Sequence, residues 1–188
     1  MKKVRRQNGF TLVELLIVAI ILAILAAIVI PQFTETTTDA RQSALRANLS
    51  AIRGAIALYR QQHNQYAAAS TSTGGTCTGG TAGTGALETQ DALREQLTRY
   101  TNVAGQSCSR TVGGTFEFGP YLKGGVLPAN SISGSNVVAI VGAAAASAGD
   151  LEMTGDGAAQ GWKYDVTSGK FIANDTNIDS SGVRFDSY

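Results

Sequence analysis

Histidine is nearly absent from this 188-residue chain: His63 is the only one, and cysteine is confined to Cys77 and Cys108. An enzyme needs a nucleophile with its base, clustered metal ligands or a cofactor fingerprint, and so sparse a set of side chains assembles none of them. The Gly- and Thr-rich stretch 67–86 contains no G-x-x-x-x-G-K-[ST], so it is not a phosphate-cradling loop. Gly155, Gly157 and Gly161 do not follow a strand and open a helix, which removes the dinucleotide reading. No internal repeat is present. Basic runs are also missing beyond the start. Residues 1–9 hold four of the fifteen Lys and Arg and no acid, leaving 11 bases against 14 acids in the rest, so no nucleic-acid face is expected. The reading is a protein that is not an enzyme and carries no cofactor.

One long apolar run is there. Leu15 to Ile30 is sixteen apolar residues in succession, inside Gly9 to Phe33, where Glu14 is the only charged side chain. At about 1.5 Å per residue, a helix from Phe10 to Phe33 covers the roughly 30 Å hydrocarbon core of a bilayer. Lys2, Lys3, Arg5 and Arg6 in front of it predict a single-pass segment with the N-terminus in the cytoplasm and the rest outside. A secretory signal peptide has a shorter apolar region and a small-residue cleavage site followed by polar chain; here the run leads directly into a polar helix. A plain anchor leaves Glu14 unexplained, since a carboxylate in a membrane costs about 3 kcal/mol or more unless paired.

Gly9-Phe10-Thr11-Leu12-Val13-Glu14 ahead of an unbroken apolar run resembles the prepilin signature of type IV pilins and type II secretion pseudopilins. The resemblance covers about 25 residues. It implies cleavage after Gly9 by a prepilin peptidase that also methylates Phe10, and it matches the family's glutamate to Glu14 and its helix-kinking proline to Pro31. It further implies that Glu14 pairs with the freed amine of a neighbouring subunit's Phe10 as chains assemble. The expected organisation is a leader at 1–9, a transmembrane and assembly helix at 10–33, and an extracytoplasmic globular domain at 34–188 that includes the amphipathic helix half.

Past Pro31 the helix is expected to continue to about Gln62. Leu45, Leu49, Ile52, Ile56 and Tyr59 fall on one stripe, with Ala44, Ala51 and Ala55 on its flank. Arg46, Arg53 and Arg60 recur every seven residues and read as a solvated face, or else as salt bridges to acids of the next subunit; His63 is expected to be exposed. Residues 67–86 read as a surface loop with no core of its own, tied down by Cys77. On the oxidising side of the membrane, Cys77 and Cys108 read as a disulfide. A second helix is expected from about Glu88 to Tyr100, with Glu88 and Asp91 in its first turn and Arg99 in its last. A buried strand is expected at Val137 to Val141, and a hairpin at Trp162 to Ala173 turning on Thr167-Ser168-Gly169. Ala143 to Gly149 reads as loop or edge.

The fold class is thus α+β, a long N-terminal helix packed on a small antiparallel sheet, as the resemblance also implies. Gly119-Pro120-Tyr121-Leu122 and Leu127-Pro128 look like major pseudopilins, but Pro128-Ala129-Asn130-Ser131 stands where that family usually has Asp-Pro-Trp-Gly. Asp175, Asp179 and Asp186 lack the spacing of a calcium loop, so no metal is expected. Three functions remain open. The first is a pilin that polymerises into a helical homo-oligomeric filament, passing from the inner membrane to the cell surface with the help of assembly machinery. The second is a type II secretion pseudopilin, and the third a membrane-anchored binding module that never polymerises.

Overall fold

A computed structural model describes residues 10–113, 115–142 and 153–188, the side chains of 29–35 excepted. The expected leader and the stretch Ala143 to Gly149 lie outside the described residues.

Helix α1 runs Leu12–His63, continuous through Pro31. The chain divides into one unit up to Arg41 and a second, Gln42–Tyr188. In the first unit the large apolar side chains from Leu12 to Ile28 are 51–81% exposed. Exposed apolar surface on this scale is of the kind that marks protein–protein or membrane contact. Among the described residues, no helix is long and apolar enough to cross a membrane. The expected span 10–33 draws on residues 29–33, whose side chains are not described.

In the second unit the stripe Leu45, Leu49, Ile52, Ile56 and Tyr59 is buried, as its spacing predicts, and forms one wall of the core with Trp162, Tyr164 and Phe171. Helix α2 is Gln90–Thr98, shorter than expected at both ends. Thr89 is the cap: its backbone is extended and its hydroxyl accepts from Ala92 N at 3.2 Å, so the helix starts after it. Glu88, with φ of 57°, stands outside the first turn and leaves Asp91 there alone. Arg99 is extended and forms the C-cap rather than the last turn. The carbonyl of Leu97 accepts from Tyr121 N and Leu122 N at 3.0 and 2.8 Å, which ties the following loop to the end of α2.

Strands β1 (Tyr100–Thr101) and β2 (Ser107–Cys108) pair antiparallel. The larger sheet has the order β3 (Val138–Val141), β4 (Trp162–Asp165), β5 (Phe171–Ala173). β4 and β5 form the expected antiparallel hairpin, with Gly169 at φ 75° closing its turn. β3 joins β4 in parallel, Val138 opposite Trp162, so this sheet is mixed. Its burial also differs from expectation: only Val138 is buried, and Ala139 to Val141 are intermediate, because β3 is an edge strand. Trp162 is seated by its indole N–H on Pro128 O at 2.9 Å, and the Tyr164 hydroxyl donates to Ala67 O at 3.0 Å.

Candidate assembly site and the domain behind it

The start of α1 carries a reciprocal cap. Glu14 N donates to Thr11 Oγ1 at 3.3 Å, while Glu14 Oε2 accepts from Thr11 N at 2.9 Å and from the Thr11 hydroxyl at 2.8 Å. Thr-x-x-Glu before an apolar run is a capping box, and it satisfies two orphan donors of the first turn. The sequence reading pairs Glu14 only with a neighbour's Phe10 amine, although the Thr11-to-Glu14 spacing is also the signal for this cap. The carboxylate therefore has hydrogen-bonding partners within its own chain before any neighbour arrives. Phe10 beside it is exposed. Gly9 and the side chain of Pro31 lie outside the described residues.

The arginine row is neither simply solvated nor left waiting for another chain. Arg46 lies 3.4 Å from Asp179 and 4.3 Å from the centroid of the Tyr188 ring. Arg53 Nε donates to Phe171 O at 2.9 Å. Arg60 donates to the Tyr66 hydroxyl and sits over its ring.

His63 is buried rather than exposed. It stacks on Tyr59 with ring centroids 4.0 Å apart and the ring planes nearly parallel, with Phe118 and Tyr121 edge-on to it. Nδ1 lies 3.0 Å from Tyr59 O, which can only accept, so Nδ1 carries the proton and Nε2 accepts from the Thr101 hydroxyl at 3.0 Å. Burial pushes its pKa down, against smaller upward contributions from the Tyr59 and Asn102 backbone.

Stretch 67–86 is more anchored than its composition suggests, with Ala67, Ala68 and Ser72 fully buried. Two buried polar residues of α2 hold it. Glu95 Oε2 accepts from the Ser72 hydroxyl at 2.5 Å, Thr84 N at 2.8 Å and Gly85 N at 3.1 Å, and Oε1 lies 3.3 Å from Arg99. The Gln96 amide donates to Ser70 O and Gly105 O and accepts from Ala68 N. A Cβ on Gly85 would collide with the Ala92 backbone, so the loop lies directly on the helix. Cys77 and Cys108 form a disulfide with Cα atoms 5.5 Å apart, fastening the loop to β2. Sequence gave no hint of the Glu95 and Gln96 roles, since a polar helix face ordinarily reads as solvated.

The C-terminal carboxylates are used locally. Asp179 accepts from Ser181 N, Val183 N and the Tyr188 hydroxyl, Asp186 from Arg184 and Gly155 N, and Asp175 from Asn177. Among the described residues, no group of three or more His, Cys, Asp or Glu is placed to hold a metal ion. Asp156, in the Gly-rich stretch before β4, is exposed and pairs with Lys163 at 3.4 Å. Asp150 and Glu152 lie outside the described residues.

Residues 4–30 match the family model of the prokaryotic N-terminal methylation motif. The N-terminal segment is similar to those of type IV pilins and type II secretion pseudopilins. Among curated relatives of this pilin-like chain, the type II secretion system core protein G of Pseudomonas aeruginosa is 37% identical over 62 residues, 33% of this chain and 44% of that protein. The type IV narrow pilus major component PilA5 of Thermus thermophilus is 45% identical over 53 residues, covering 28% and 46%. The type IV major pilin protein PilA of Myxococcus xanthus is 41% identical over 61 residues, covering 32% and 28%. The pilin-like chain thus spans less than half the length of these relatives. No solved structure gives a significant match.

Proposed function

We propose that this chain is a filament subunit, made as an inner-membrane precursor, cut after Gly9, methylated on Phe10 and polymerised through the apolar first half of α1. The observation that carries the reading is the conjunction at one helix start: an exposed Phe10, a capped Glu14, and apolar side chains from Leu12 to Ile28 left more than half exposed. So much exposed apolar surface gains from burial in a bilayer or in a bundle of its own copies. In a bundle the Glu14 carboxylate is desolvated, and an amine freed at Phe10 of a neighbour supplies the opposite charge. The pair then sets register more than it adds stability. Pro31 would sit within this assembly helix.

The relatives' names divide between pilus and secretion roles, so a type II secretion pseudopilin is the second reading. The departure at Pro128 to Ser131 favours the pilus. The test is filament yield from Glu14→Ala and Glu14→Gln chains. Both are expected to insert and fold as the parent does while filaments collapse. Parental filament numbers from both substitutions would contradict the role given to Glu14. Filaments that appear only beside a secretion assembly and never on the surface would move the reading to the pseudopilin.

A further inference from the structure

An open pocket of about 460 Å³ lies between the second half of α1 and the β4–β5 turn, edged by Arg53, Arg60, Gln61, Asn64, Tyr66 and Gly169. Two of these residues are guanidinium cations, and none is acidic. Among the described residues neither arginine forms an ion pair: Arg53 is held by the Phe171 carbonyl, and Arg60 by the hydroxyl and ring of Tyr66. Arg46, one heptad earlier in the same row, has Asp179. Arg53 is also half-buried, and burial pulls its pKa below the ordinary arginine value. A half-buried guanidinium held only by a neutral acceptor, with an exposed one a heptad further on, can take an anion, because a guanidinium fork matches a carboxylate in a two-bond geometry.

The remaining rim narrows the ligand. Gln61 and Asn64 offer side-chain amides, each both donor and acceptor, the pairing that neighbouring hydroxyl groups of a sugar require. The volume falls in the range of small-molecule sites, and a lone acidic side chain would leave much of it to water. We infer that this pocket binds an acidic monosaccharide unit, its carboxylate between Arg53 and Arg60 and its hydroxyls on Gln61 and Asn64. The sugar acid could be free or could end a polysaccharide. The chemistry is the same.

The test is calorimetric titration of the full chain in detergent micelles with glucuronate, glucose, acetate, inorganic phosphate and trigalacturonate. Glucuronate is expected to bind saturably and at least about tenfold more tightly than glucose, acetate or phosphate, since each lacks one half of the recognition. Tighter binding of trigalacturonate supports a polysaccharide source, and equal or weaker binding supports the free sugar acid. Arg53→Gln and Arg60→Gln should each weaken glucuronate by about tenfold or more. Asn64→Asp, which keeps both arginines and sets a carboxylate beside them, should abolish binding with the melting temperature unchanged. Glucuronate binding no tighter than acetate or glucose overturns the inference. So does binding that survives Asn64→Asp.

Discussion

Removing the Glu95 side chain should release the Gly/Thr stretch from α2. In Glu95→Ala the Ser72 hydroxyl and the Thr84 and Gly85 amides lose the oxygen they share, at 2.5, 2.8 and 3.1 Å. A buried donor left without a partner costs about 1–3 kcal/mol, more when the lost acceptor is charged. Thr84 is exposed enough for water to replace its bond, Gly85 N keeps the Ser72 hydroxyl at 2.8 Å, and that hydroxyl keeps Gly85 O at 3.2 Å, so the net loss should be about 2 kcal/mol. Against a typical total of about 5–15 kcal/mol, that is a large fraction. Glu95→Gln keeps one acceptor oxygen and should lose roughly half as much.

The same residue sets an acid dependence. Burial alone would raise the Glu95 carboxyl, but the bonds from Ser72, Thr84 and Gly85, together with the Arg99 guanidinium, outweigh it and leave the pKa below the ordinary 4.5. A depressed folded-state pKa means the unfolded chain binds the proton first. This stabilisation is therefore complete above about pH 4.5 and is lost as pH falls through the lower folded value. Urea unfolding followed by fluorescence of the single, fully buried Trp162 reads both effects. A loss below about 1 kcal/mol in Glu95→Ala, or an acid limb unchanged in Glu95→Gln, would refute the reasoning.

Two further outcomes are expected. Reducing the Cys77–Cys108 bond, which closes a separation of 31 residues, should cost about 3–4 kcal/mol on the chain-entropy account, read as a drop in urea midpoint on adding dithiothreitol; an unmoved midpoint would contradict it. His63, with its pKa pushed down by burial, makes the unfolded chain the better proton acceptor, so stability should decline as pH falls below about 6.5, and His63→Gln should flatten that slope between pH 7.5 and 5.5.

The elements legible from sequence were those written in periodicity. The stripe from Leu45 to Tyr59 and the hairpin on Gly169 stand where spacing and turn chemistry place them. What escaped were partners chosen by tertiary contact. Nothing local says that Glu95, on a polar helix face, points inward, or that His63 stacks on Tyr59 four residues earlier beneath Thr101 and Phe118. The parallel entry of β3 escaped for the same reason, since a β-branched run states strand but not direction. At the start of α1 one local link escaped as well: Thr11 and Glu14 hold each other across the first turn.

The central claim is that this chain becomes a filament subunit through its processed N-terminus, and the intact mass of protein recovered from sheared filaments tests it most directly. The expected species is a chain that begins at Phe10 and carries one added methyl group. Filaments built from chains that retain Met1 to Gly9, or filaments from which the chain is absent, would contradict it.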